Sequence, residues 1–498
     1  MSKSGPNILF ITADQLRADC LRCYGNQIIQ TPNIDLIAQN GVQFESAYVA
    51  NPLCAPSRSS ILTGRYPSRH RVWCNGVPLS DHEITLTSIL SKNGYHTAVI
   101  GKMHFTPAQA PEPEPSFYDS FKNWEIQNLR NWHGPYYGFE EVWMSLGHNS
   151  PRGHYRYWLE DNAPDVIDLF GPEHALKPPT EAMQSWKSAV PADYHVSTWI
   201  GNTAIDFLKR ASENSKPFFA WISFTDPHHP FAPPVPFNHM YDPNQVKTPL
   251  KKKDELLDKP PHFYENYSKG TRTEGTRECD VPANVGEQHV REIIAHTYGM
   301  ISLVDQNIGR ILETLDELCL RENTVVIFAS DHGDLLGDHG LFFKGPFLYE
   351  GLVRVPFIWS FPKEFNVGVG TKSLVSLVDF APTILDIAGI SIPPSMQGKS
   401  LVTILNGRQD KVNDSILIEY QSGYSPDLNL RSIRTPKWKL TYYAGANGEL
   451  YDLENDPGEF INLYQLPAYD SIRNELIKLL LDKMLQIEDR TPIRLSHA

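Results

Sequence analysis

The sequence predicts an α/β protein: a large, mostly parallel sheet sandwiched by helices, with a smaller C-terminal α+β subdomain carrying a short antiparallel sheet. Residues 7–13 (NILFITA) and 324–330 (TVVIFAS) are short apolar runs of the kind expected for strands buried on both faces. Each runs directly into a polar pair, Asp14-Gln15 and Asp331-His332. Such runs alternate with helical patterns at residues 34–40, 85–93, 196–211 and 292–318, the order that builds parallel sheets. After residue 390 the pattern changes. Residues 432–453 alternate around GANGE as in an antiparallel hairpin, and residues 469–488 read as a terminal helix. The expected domains are therefore 1–390, with insertions at about 105–193 and 233–286, and 391–498.

In open α/β sheets, sites form outside the carboxyl ends of the strands, which is where both polar pairs emerge. Asp14, Asp331 and His332 are thus candidate ligands of one divalent cation, and Gln15 adds an amide oxygen. Hard oxygen donors favour Ca²⁺, with Mg²⁺ or Mn²⁺ as alternatives; the His332 imidazole leans toward Mn²⁺. The competing reading of each pair is a solvated strand-end turn.

Residues 51–64, NPLCAPSRSSILTG, place Pro56 near the start of a helix that ends at about Gly64. Cys54 then stands at the positive end of that helix. Arg58, one turn on, carries a planar fork suited to a tetrahedral anion. Against this stands the ordinary fate of a lone cysteine, a buried structural thiol.

These residues, taken together, resemble the type I sulfatases of the alkaline phosphatase superfamily. Cys54, Pro56, Ser57 and Arg58 stand in the C-x-P-S-R spacing of that family's modification signature, where the cysteine is oxidised to formylglycine. The other family elements follow in order: Asp14-Gln15, GKMH at 101–104, DPHHPF at 226–231, DHG at 331–333 and FKG at 343–345. The resemblance implies a sulfuric ester hydrolase whose hydrated formylglycine at residue 54 binds the metal and attacks sulfur. It implies that Arg58 holds that diol, that Lys102 and Lys344 contact the sulfate oxygens, and that His104 accepts the diol proton. His228 would protonate the leaving alcohol, with His229 as the neighbouring alternative. Asn75, in VWCNGVPL, resembles a site-lining position of phosphonate monoester hydrolases, although N-G before V-P is also a good turn. Asp14-Gln15 and Asp331-His332 depart from the commonest sulfatase pairs and resemble the branch holding choline sulfatases and phosphonate monoester hydrolases. Lys102 and His104 are the sulfatase-like choice.

Substrate recognition is expected from the insertions. Residues 105–193 are rich in Trp, Tyr and His, rings that either stack on a sugar, enclose a quaternary ammonium, or form the core of a lid. The first expectation is a carbohydrate sulfate, then choline or aryl sulfates. A phosphonate monoester or phosphodiester hydrolase is the nearest rival, and an anion-binding protein with an unmodified Cys54 the rival of another class. The second insertion, with KKKDELLDK and residues 264–278, reads as a surface excursion.

Composition narrows the partners. The chain has 498 residues, 21% of them charged, with 45 basic against 58 acidic and a net charge of −13, which argues against nucleic acid and anionic membranes. The N-terminus lacks a secretory pattern, residues 374–390 read as an amphipathic core helix rather than a span, and six scattered cysteines suit a reducing compartment, so the expectation is cytoplasmic. Cys20 and Cys23 read as structural. Expected partners are the sulfate ester and a formylglycine-generating maturation enzyme, and homo-oligomerisation is open.

Overall fold

A computed structural model describes residues 5–270, 281–423, 425 and 428–488. The main sheet has eight strands: β1 Asn7–Ala13, β2 Val42–Tyr48, β3 His96–Gly101, β4 Glu141–Met144, β5 Phe218–Phe224, β6 Thr324–Ser330, β7 Phe357–Ser360 and β8 Val369–Ser376. Their spatial order is β4-β3-β5-β1-β6-β7-β2-β8. All neighbours run parallel except β7, which is antiparallel to both β6 and β2. Every residue of β1, β5 and β6 is buried, which is why these strands read as unbroken apolar runs.

Side chains of β1 alternate between two cores. Ile8 and Phe10 join the helix Cys54–Thr63 (Ile61, Leu62), while Leu9 and Ile11 face the helices Val196–Ser212 (Ile200, Ala204) and Glu287–Glu317 (Ile301, Val304, Ile308). A separate antiparallel sheet, β9 Ile416–Gln421, β10 Asn429–Arg434, β11 Trp438–Tyr443 and β12 Glu449–Asp452, packs Leu417, Ile433, Leu440 and Leu450 on Leu476 and Leu480 of the helix Asp470–Gln486.

Two expectations change. Residues 374–390 are not one helix: Leu374 to Ser376 complete β8, and Ser376 and Asp379 form a reciprocal capping box before the helix Phe380–Ile387. The rings of the aromatic insertion pack on one another and into the main core, where Trp124, Tyr136 and Phe139 cluster with Phe10 and Trp221. Tyr118 stacks on Trp132 at 3.9 Å and 7°, His133 on His154 at 4.5 Å, and Trp124 meets His154 edge-on at 4.8 Å. These rings spend their faces on one another. Of the second insertion, residues 271–280 lie outside the described residues. Its preceding part docks through buried Lys259, which donates to Tyr451 Oη at 2.9 Å and the Glu459 carbonyl at 3.0 Å. The five described cysteines are free thiols, and among the described residues no helix is long and apolar enough to cross a membrane.

Candidate active site

Five adjacent parallel strands deliver the site in spatial order at their carboxyl ends: β4 leads to His148, β3 to Lys102, β5 to His228, β1 to Asp14 and β6 to Asp331 and His332. Lys102 reaches its place because β3 ends on Gly101 (φ 109°). A Cβ there would lie 1.9 Å from the Ser223 carbonyl, the group that accepts the Lys102 N–H at 3.0 Å.

The helix Cys54–Thr63 enters from the β2 side and ends at Gly64 in the left-handed conformation. Leu53 offers no cap, so neighbours satisfy its first turn. Asn75 Oδ1 accepts from the Ala55 N–H at 3.0 Å, and Asn51 Oδ1 accepts from Leu53 N–H at 2.9 Å while its amide donates to the Glu419 carbonyl in β9 at 2.8 Å. Asn75 thus caps the helix that carries Cys54, and it also lines the cavity above it.

Asp14, Cys54, Asp331 and His332 are all buried, each with a ligand atom within 4.8 Å of the others'. His332 Nδ1 lies 2.8 Å from the Gly333 carbonyl and Nε2 3.1 Å from Cys54 Sγ; against burial and Lys344, Asp331 and Cys54 hold the ring above its usual value, and in its neutral form Nε2 is a lone pair turned into the cluster. Burial and the neighbouring Asp331 push Asp14 up to about 6. Burial would raise Asp331 as well, but Arg58 outweighs it and holds that carboxyl below its usual range. Two carboxylates and an imidazole lone pair converging in a dry site are a donor set that fits a divalent cation.

Arg58 is fully buried. Its Nε meets Asp331 Oδ2 at 2.8 Å and Nη1 donates to the Lys102 carbonyl at 2.9 Å and to Ser223 Oγ at 2.8 Å. Nη2, 3.9 Å from Asp14 Oδ2, has no hydrogen-bond partner among the described residues. Lys102 pairs with Asp14 Oδ2 and donates to His148 Nε2 at 3.2 Å. Lys344 donates to Gln15 Oε1 at 3.0 Å and His228 Nε2 at 2.9 Å, and reaches Cys54 Sγ at 3.0 Å. The Gln15 amide oxygen is therefore engaged by Lys344, while its nitrogen meets Asp334 Oδ2 and His229 Nδ1. Burial would push the Cys54 thiol up, yet Lys102, Lys344 and His332 hold it well below its usual value, with His104 adding a hydrogen bond. His104 itself sits at φ 64° on a loop pinned by Asp119, whose Oδ1 accepts its N–H at 2.8 Å.

His228 donates from Nδ1 to the His229 carbonyl at 2.5 Å, so its Nε2 is the acceptor for Lys344. His229 stacks on His228 at 4.1 Å, lies against Phe343 at 4.2 Å and has its Nδ1 3.1 Å from the Gln15 amide nitrogen, so the two histidines differ in their partners although both line the cavity. Sequence reasoning missed His148, which stacks on His228 at 3.5 Å and 9°. Its only signal is the G-H-N-S turn just after β4. Burial, then the nearby cations, hold both rings well below the usual histidine value.

Above residue 54 opens a cavity of about 880 Å³ lined on the insertion side by residues 107–112, Phe117, Asp119 and Phe121, a mixture of apolar side chains with Gln109, Glu112 and Asp119. The Trp and Tyr rings of the insertion do not line it.

Residues 6–390 match the family model described as Sulfatase, and residues 337–486 match one described as N-sulphoglucosamine sulphohydrolase, C-terminal. The chain is 34% identical to an arylsulfatase of Clostridium perfringens, covering 95% of this chain and 94% of that protein. It is 30% identical to a choline-sulfatase of Rhizobium meliloti, covering 94% and 84%. A solved phosphonate monoester hydrolase of Agrobacterium radiobacter superposes with a TM-score of 0.84 at 26% identity, covering 99% of this chain and 98% of that one.

Proposed function

The chain belongs to the sulfatase family, and from that premise we propose that it hydrolyses an organic sulfate monoester with residue 54, oxidised to formylglycine, as nucleophile. The observation that carries the reading is the convergence on Cys54 of a buried cation-ready cluster and two lysines. A divalent cation, Ca²⁺ in our assignment with Mn²⁺ or Mg²⁺ as alternatives, would be held by Asp14, Asp331, His332, residue 54 and, with rotation of its amide, Gln15. Bound there, it lowers the pKa of the attacking oxygen and neutralises charge on the sulfate.

The chain's own groups do the rest. Arg58 fixes Asp331 and leaves Nη2 free toward the nucleophile's oxygens. Lys102 and Lys344 each present a remaining N–H to the peripheral sulfate oxygens in a site that excludes water. His104 takes the proton when the sulfated residue 54 collapses. The proton for the leaving oxygen comes from the Lys344–His228 pair, because the His228 Nε2 that faces the site is a lone pair. Pro107, Ala108, Phe117 and Phe121 of the lining suit an aryl alcohol, while Gln109 and Glu112 keep choline and carbohydrate sulfates in the comparison. Maturation requires a formylglycine-generating enzyme, and we place the protein in the cytoplasm.

Phosphonate monoester or phosphodiester hydrolysis is the second reading, favoured by the close superposition on such an enzyme and by the Asp14-Gln15 and Asp331-His332 pairs. Two measurements test the proposal. Peptide mass spectrometry should find the Cys54 sulfur and two hydrogens replaced by one oxygen in active protein; active protein with an intact thiol would sink the mechanism. Turnover of an aryl sulfate should exceed that of the matching aryl phosphonate, and the reverse ranking selects the second reading.

A further inference from the structure

The two lysines beside residue 54 are held in matching ways. Lys102 is bound by Asp14 and by His148 Nε2; Lys344 is bound by Gln15 and by His228 Nε2. Asp14 and Gln15 are sequence neighbours at the end of β1, and the two imidazoles are stacked face to face at 3.5 Å. An ammonium has three N–H donors, so each lysine spends two on this frame and keeps one. Lys344 already points its third at Cys54 Sγ (3.0 Å), with His332 Nε2 at 3.3 Å beside it.

From this we infer that His148 is a positioning residue for Lys102: it accepts one Lys102 N–H, braced by its stack on His228, and so fixes the remaining N–H on the sulfate. Without it, Lys102 has Asp14 as its sole anchor, and the Asp14 carboxylate draws it toward the cation cluster and away from the substrate. The ammonium donates to His148 Nε2, so in the neutral ring the proton is on Nδ1. That atom is buried, 4.0 Å from Asp14 Oδ2, and has no hydrogen-bond partner among the described residues. The unmet donor is a constraint the fold keeps in return for the lysine's geometry. His148 does not serve as the leaving-group acid, because its Nε2 is committed to Lys102.

This inference rests on the sulfate-ester reading, so its test has one arm that needs no turnover. In formylglycine-containing, cation-loaded protein, His148→Ala should lower kcat/KM about 10- to 100-fold, equally for 4-nitrophenyl sulfate and phenyl sulfate. Calorimetric binding of inorganic sulfate should weaken alongside. His148→Gln, whose amide oxygen can accept from Lys102, should recover most of both losses, whereas the shorter His148→Asn should not. In a Lys102→Met background the His148→Ala effect should vanish. The inference is overturned if His148→Ala leaves sulfate binding and kcat/KM unchanged, if the loss is larger on the poorer leaving group, or if His148→Ala costs as much without Lys102 as with it. Should His148→Ala fail to fold, the Gln and Asn variants carry the same comparison. If the wild type turns over phosphonates instead of sulfates, the calorimetric arm still reads the lysine, and the two failures stay distinct.

Discussion

Two of the buried charge networks among the described residues treat their cations differently. Under the C-terminal sheet, Lys439 contacts both Glu350 (3.3 Å) and Glu459 and donates to the Leu348 carbonyl at 2.6 Å. Arg434 and Arg354 also face Glu350, and Tyr48 donates to it at 2.9 Å. Each cation there has a carboxylate. In the candidate active site Lys102 and Arg58 are paired, but among the described residues no carboxylate pairs with Lys344, which leans on neutral acceptors and on residue 54. The first network is closed by its own charges. The second leaves a cation facing where an anion goes and carboxylates facing where a metal goes, the pattern of a site preorganised for something absent from the chain.

The same kind of substitution should therefore give opposite results. Lys439→Met strands buried Glu459 and takes one of three cations from Glu350, which keeps Arg434 and Arg354, and should destabilise the fold by about 3–5 kcal/mol, with kcat/KM per folded molecule unchanged. Denaturant unfolding and active-site titration check both halves; a loss under about 1 kcal/mol would mean water already serves those carboxylates. Lys344→Met leaves no carboxylate behind. It should lower kcat/KM by about 10²–10³-fold, about 2.7–4 kcal/mol of transition-state stabilisation, while Tm stays level or rises. A fall in Tm matching that of Lys439→Met would erase the distinction.

The open carboxylates sharpen the contrast from the other side. Stripping divalent cations should lower Tm, and restoring one at about 100 times its Kd should return about 2.7 kcal/mol of stability. Comparing Ca²⁺, Mn²⁺ and Mg²⁺ ranks the ligand preferences, and Asp14→Asn should blunt the response. No Tm change in the parent protein would deny Asp14, Asp331 and His332 a shared cation.

What the sequence made readable was whatever a local rule fixes. β1 and β6 were legible to the residue because strands buried on both faces must be continuously apolar. Asp14, Asp331 and His332 followed because their strands end there. His148 was not legible: its function depends on β4 lying beside β3 and on a ring stack with a residue 80 positions away. Asn75 was noticed as site-lining, but its bond to the Ala55 N–H is tertiary. The rings of residues 105–193 show the limit of composition. Trp and Tyr suit a sugar platform and a lid core equally, and only their mutual packing decides. The break inside residues 374–390 was hidden because Val375, Leu377 and Val378 suit a strand end as well as a helix.

A third case is a buried histidine with no carboxylate partner among the described residues, His70. Its Nδ1 accepts the Val72 N–H at 3.2 Å, so its Nε2 carries the proton and donates to Ser60 Oγ at 2.9 Å on the helix that holds Cys54. Burial, helped by Arg65, lowers it from 6.5 to about 3. The sign follows directly: below pH 6.5 the unfolded chain takes up a proton that the folded one refuses until about pH 3. His70 therefore makes stability fall with acidification by up to about 1.4 kcal/mol per pH unit across that window. His70→Gln should remove that slope while costing some stability at pH 8, measured by urea unfolding at several pH values. Were the variant's stability to fall with acid as steeply as the parent's, Ser60 and the nucleophile helix would not be guarded by a neutral imidazole. The acid sensitivity would then belong to the closed network, through Glu350, which is held down at about 2 and gives up its stabilisation as pH drops below 4.5.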